Sequence, residues 1–203
     1  MGDRRGLLVD FGGVLTSDVF ASFAAFCADV GLDPDELATR FRHDAEAREL
    51  LIGLEEGTLA PEAFEARLGR LIGVAPGGLI ERLMAEARPD HDMIGAVRAA
   101  RGAGVRTGLI SNSWGVERYD RTLLGELFDG VVLSGEIGIR KPSRRMYELG
   151  LESVGLPATA CVYVDDLGFN LTAPAEMGMA TVKHERAPET IAELERLLGV
   201  ALT

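Results

Sequence analysis

The sequence predicts an α/β fold: a parallel sheet between covering helices, with an all-helical segment inserted after the first strand. Three observations predict it. The apolar run Leu7-Leu8-Val9 leads straight into Asp10 and then Gly12-Gly13, so a buried strand ends in an acid and a sharp turn. From Ser17 to about Arg88 the apolar spacing is helical throughout. After Pro89 helical and strand patterns alternate to the end, which implies parallel strands joined by crossover helices.

The elements follow in order. Strand 6–10 belongs to the later sheet, because a lone strand beside helices has no partner. Val19, Phe20, Phe23 and Phe26 mark a first helix, and Pro34 starts a second, with Asp33 as its N-cap. Another begins near Ala60-Pro61-Glu62 and carries Phe64, Leu68 and Leu71; a fourth spans roughly 77–87. Helix 91–103 then precedes strand 105–110, helix 115–124 precedes strand 130–133, and helix 143–154 precedes strand 160–164. Helix 168–177 precedes strand 180–183, and a last helix covers 188–198. The division is therefore a core of residues 1–15 and 90–203, interrupted by a helical block of residues 16–89.

Composition narrows the function. The 203 residues suffice for one sizeable core and an insertion. A formal net charge of −11 excludes nucleic acid or an anionic membrane as a general partner, since both reward positive surface. No apolar run approaches the about 20 residues that cross a bilayer. Met1-Gly2-Asp3-Arg4-Arg5 leads into the first strand without room for a signal peptide. Cys27 and Cys161 lie among apolar neighbours and read as buried free thiols, so a cytoplasmic location is expected. The histidines, His43, His91 and His184, have no metal-binding spacing and are expected at the surface.

The chemistry gathers at the carboxyl ends of the strands, which share one edge of a parallel sheet. Strand 6–10 ends in Asp10, strand 105–110 in Ser111-Asn112-Ser113, and strand 160–164 in Asp165-Asp166. The loop after strand 130–133 carries Gly138-Ile139-Arg140-Lys141-Pro142. Singly, each admits a structural reading: a turn aspartate, a helix cap, a solvated lysine, turn chemistry. Together they place a carboxylate nucleophile, hydroxyl donors, a compact positive charge and an acid pair at one point. Three carboxylates there repel one another unless a hard cation such as Mg²⁺ sits among them.

With these motifs the chain resembles the haloacid dehalogenase-like (HAD) hydrolase superfamily, in its branch with a helical cap after the first strand. Asp10-Phe11-Gly12-Gly13-Val14, Ser111-Asn112, Gly138-Ile139-Arg140-Lys141-Pro142 and Val164-Asp165-Asp166-Leu167-Gly168-Phe169-Asn170 are most similar to the N-terminal phosphatase domain of soluble epoxide hydrolases. The resemblance implies a Rossmann-like three-layer parallel-sheet core with an inserted all-helical cap. It makes Asp10 the nucleophile that becomes an aspartyl-phosphate, and Ser111 and Asn112 the binders of the phosphoryl group. Lys141 bridges nucleophile and phosphate, Asp166 is the direct Mg²⁺ ligand, and Asp165 stands nearby or acts through water.

One position departs from that pattern. The family's phosphatases carry a second Asp two residues after the nucleophile, and here that residue is Gly12. Its backbone carbonyl can still ligate the metal, but it has no side chain to protonate the leaving group, a loss worth roughly 10²–10⁴-fold. Water, the substrate or a Glu or His of the cap are the candidate substitutes. Two alternatives follow: a 2-haloacid dehalogenase, whose halide leaves unprotonated, and a catalytically weak regulatory member. The expected function is a Mg²⁺-dependent phosphatase acting on a small phosphorylated metabolite, as a monomer or homodimer.

Overall fold

The computed structural model describes residues 4–202; Met1-Gly2-Asp3, part of the N-terminal reading, lie outside them. Five strands form one parallel sheet in the order β3-β2-β1-β4-β5. They are β1 (Gly6–Val9), β2 (Arg106–Ser111), β3 (Gly130–Leu133), β4 (Cys161–Asp165) and β5 (Ala180–Lys183). β1 is central because Leu7, Leu8 and Val9 are buried on both faces, the signature of a covered parallel strand.

Alternate residues feed two apolar layers. Leu7, Val9, Leu109, Val162 and Val164 pack with α6 (His91–Gly102), α7 (Arg121–Leu127) and α11 (Ala187–Leu198). Leu8, Ile110, Val132 and Tyr163 pack on the other face against Met146, Tyr147 and Val154 of α9 (Arg144–Val154). Each large apolar side chain so buried contributes about 1.5–3 kcal/mol.

The helical block has a core of its own, built on Phe23, Phe26, Leu37, Leu50, Phe64, Leu68 and Leu83. Its helices are α1 (Val19–Asp29), α2 (Glu36–His43), α3 (Ala45–Glu55), α4 (Pro61–Ile72) and α5 (Leu79–Leu83). The chain leaves and re-enters through a two-stranded neck, where Ser17 N donates to Arg88 O (2.7 Å) and Asp90 N to Leu15 O (2.9 Å). One residue from outside joins this core. Trp114, in the loop after β2, sets its ring 5.1 Å from Phe23, 5.6 Å from Phe64 and 6.1 Å from Phe41, centroid to centroid.

Local chemistry moves several expected boundaries. Asp33 does not cap the second helix; its Oδ1 accepts from Asp35 N (2.8 Å) in a turn, and α2 starts at Glu36. Asp44 interrupts the helical run and caps a separate α3 by accepting from Ala47 N (3.0 Å). The helix expected over 77–87 shrinks to Leu79–Leu83. That over 115–124 is delayed to Arg121, where Asp120 caps it through Thr122 N and Leu123 N. The segment 168–177 divides into a 3₁₀ turn, Gly168–Leu171, and α10 (Thr172–Glu176). The loop after β3 opens with a helical turn, α8 (Ser134–Ile137). Among the described residues no helix is long and apolar enough to cross a membrane.

Candidate active site

Asp10 stands one residue beyond β1, its N–H donating to Val164 O (2.9 Å) at the end of the neighbouring β4. Its Oδ1 accepts from Phe11 N (2.7 Å), and its Oδ2 lies 2.7 Å from Lys141 Nζ. Lys141 comes from the loop after α8, and its side chain is 1% exposed. The same ammonium reaches Asp165 Oδ2 at 2.8 Å, so one buried cation joins two buried carboxylates.

Asp165 and Asp166 sit side by side and face different partners. Asp165, the last residue of β4, accepts from Tyr163 OH (2.6 Å), Leu167 N (2.9 Å) and Asn170 Nδ2 (3.0 Å) besides Lys141. Its oxygens are thus committed to the protein. The Asp166 carboxylate lies where a Cβ on Gly13 would stand, and Gly13 adopts φ 72°; glycine is required there for both reasons. Asp10, Asp165 and Asp166 each bring a ligand oxygen within 4.8 Å of the others'.

Three acids against one lysine leave the centre short of positive charge. Burial pushes the Asp10 carboxyl up to about 7, opposed by Lys141 and reinforced by Asp165. Burial, then Asp165, pushes Asp166 up to about 6. Burial pulls the Lys141 ammonium down, but Asp10 and Asp165 outweigh it and hold it above its ordinary value. A hard divalent cation suits this oxygen-only donor set and the charge it presents.

Ser111 ends β2 with its Oγ 2.9 Å from Tyr119 OH, and the Tyr119 ring meets Phe11 edge-on at 5.1 Å. Asn112 spends its side chain within the protein. Its Oδ1 accepts from Lys141 N (2.8 Å), and its Nδ2 donates to Lys141 O and to Glu55 Oε2, both at 3.3 Å. The side chain braces the Lys141 backbone, which leaves the Asn112 backbone N–H as the group it can offer an anion.

Three partners escaped the sequence reading. Tyr163 and Tyr119 sit in apolar or loop contexts that give no chemical signal. Glu55 had one: it falls on the apolar stripe of α3 with Ala47 and Leu54, where an acid is out of place. Burial pushes its carboxyl up, and Arg140 pulls it back. His184, expected at the surface, is buried instead, because its Nδ1 pairs with Thr190 Oγ1 (2.9 Å) across the start of α11. Cys27 and Cys161 are buried and free, as expected.

The position of the missing acid is crowded as well as bare. A Cβ on Gly12 would lie 3.2 Å from Val19 Cγ2, the first residue of α1.

The model of the haloacid dehalogenase-like hydrolases matches residues 5–178, and the chain belongs to that family. Among its relatives, the pig (Sus scrofa) bifunctional epoxide hydrolase 2 is 28% identical over 131 residues, covering 61% of this chain and 24% of the pig protein. The chain thus spans about a quarter of that relative's length. The pyrimidine 5'-nucleotidase YjjG of Escherichia coli is 32% identical over 157 residues, 66% of this chain and 69% of the nucleotidase. A HAD family enzyme of Bacteroides thetaiotaomicron, solved with magnesium and inorganic phosphate, superposes with a TM-score of 0.67 at 19% identity, covering 90% of this chain and 94% of that one.

Proposed function

We propose that this hydrolase is a Mg²⁺-dependent phosphatase of small phosphorylated metabolites. The observation that carries the reading is the buried Asp10–Lys141–Asp165 bridge with Asp166 beside it on one sheet edge. It is supported by relatives that include a nucleotidase and by a structural neighbour solved with magnesium and phosphate.

Each residue then has a task. The Asp10 carboxylate attacks phosphorus, the bond from phosphorus to the leaving oxygen breaks, and an aspartyl-phosphate forms. Water attacks the same phosphorus, releases phosphate and returns the carboxylate. Lys141 offsets charge on nucleophile and phosphoryl oxygens, while the Ser111 hydroxyl and the Asn112 N–H hold those oxygens. Asp10, Asp166 and the Gly12 carbonyl would hold Mg²⁺, with Asp165 behind them, and the cation would neutralise the gathering negative charge. Asp165 serves chiefly to orient Lys141.

The helical block acts as a cap. A cleft of about 460 Å³ opens beside Asp166 and Gly13, between Phe20 of α1 and the end of β5, where Lys183 closes the strand and His184 and Arg186 follow. Phosphate release from an activated aryl phosphate should require Mg²⁺ and stop with a chelator. Turnover of 2-chloropropionate that ignores the chelator would replace this reading by the dehalogenase, and Mg²⁺ binding without either turnover by the regulatory member.

Gly12 limits the choice of leaving group. Gly12→Asp brings its new Cβ to 3.2 Å from Val19 Cγ2, so that Val19 must give by a few tenths of an ångström to admit it. Combined with Val19→Ala it should raise kcat on an alkyl phosphate by about 10–10²-fold while barely changing that on the activated ester. Equal change on both esters would show that proton supply does not limit the native site.

A further inference from the structure

We infer that Glu55, a residue of the helical block, is a positioning residue that holds Lys141 in its working place. The inference rests on the phosphatase reading and assigns it a dependence on the cap.

The connection is continuous. Glu55 closes α3 and is 6% exposed, a buried carboxylate brought to the core from the inserted block. Its Oε2 accepts from the Arg140 guanidinium and from Asn112 Nδ2 (3.3 Å). Arg140 precedes Lys141 in the chain, and Asn112 clasps both the N–H and the C=O of Lys141. Glu55 therefore touches, from the cap side, the two residues that fix the Lys141 backbone. The Lys141 ammonium, at the far end of this arrangement, contacts Asp10 and Asp165.

The surroundings dock the block just here. The Glu55 carbonyl accepts from Ser134 Oγ of α8. Two residues on, Gly57 at φ 69° lies so close to Gly135 that a Cβ would come within 2.5 Å of its carbonyl oxygen. The Trp114 ring, plugged into the block's aromatic core, fastens the same side. Glu55 is thus held by both parts, and it transmits the block's placement to the catalytic lysine.

The test is kinetic and uses the full chain. Displacing a catalytic group by about 1 Å costs up to about 10²-fold. Glu55→Ala should lower kcat on the activated ester by about 10- to 10²-fold in Mg²⁺. Inhibition by inorganic phosphate should change less than about threefold, because the ground-state anion keeps its other donors. Glu55→Gln, which still accepts from Asn112, should recover most of the rate. Trp114 is itself a partner of the Glu55 carboxylate, so its emission would respond to the substitution directly; an unchanged rate of limited proteolysis at the neck, where Ser17 pairs with Arg88, reports instead that the block stays docked. A folded Glu55→Ala with native proteolysis at the neck and kcat within twofold of wild type overturns the inference, as does a rate not rescued by Gln. If Glu55→Ala does not fold, Arg140→Ala carries the test: a rate loss of about fivefold or more is expected, and an unchanged rate overturns it. A wild type silent on the ester overturns the phosphatase reading, and this inference with it.

Discussion

Asp10→Asn is expected to abolish turnover, lowering phosphate release by at least about 10⁴-fold while leaving the protein folded. The amide has nearly the shape of the carboxylate and cannot attack phosphorus. The fold should tolerate the change because Lys141 keeps Asp165 at 2.8 Å, and because one of three crowded acids is removed. Melting within a few degrees of wild type, together with a rate at the detection limit, is the expected pair of results. A residual rate within tenfold of wild type would mean that water, and not Asp10, attacks the substrate.

Lys141→Met should do the reverse to stability. It leaves Asp10 and Asp165 buried without their cation, and breaking a buried pair in this way costs about 3–5 kcal/mol. At about 2–4 °C per kcal/mol in a chain of this size, the melting temperature should fall by about 10 °C. The deficit has a pH signature. Asp10 already titrates near about 7 in the folded protein, against 3.8 for an ordinary aspartate. Losing Lys141 raises it further, so the folded variant binds more protons than its unfolded chain above pH 3.8. Its stability relative to wild type should therefore recover as pH falls from about 9 to about 7, and level off below that, where wild-type Asp10 takes up its own proton. A deficit that is constant or grows on acidification would show that Lys141 matters through packing and not through charge. Activity should be lost at every pH, which thermal melts and phosphate release measured side by side would separate from unfolding.

Much of this centre was legible in the sequence because a parallel sheet turns chain order into spatial convergence. Asp10, Ser111, Asp165 and Asp166 each close an apolar run, and strands 130–133 and 180–183 begin and end where those runs do. Helix ends were less legible, since single side-chain bonds decide them: Asp44 starts α3 and Asp120 delays α7, both inside stretches whose apolar spacing reads as continuous. The task of Asn112 was hidden for another reason. Its partners, Lys141 and Glu55, lie 29 and 57 residues away, and no local pattern encodes such contacts. The crowding of Gly12 by Val19 belongs to the same class, because it depends on the angle at which α1 leaves the turn.

Trp114 sets an order on the making of this protein. Every residue of the helical block's own core, Phe23 to Leu83, leaves the ribosome before it. Until the chain has passed through the neck and run the length of β2, the three phenylalanines that surround that ring face a gap. The block's completed packing thus waits on the second strand, and the second strand pairs with β1, made before the block began. Cutting the block out as a separate piece would leave its centre one indole short, whereas grafting it onto another sheet would require bringing the loop after β2 along.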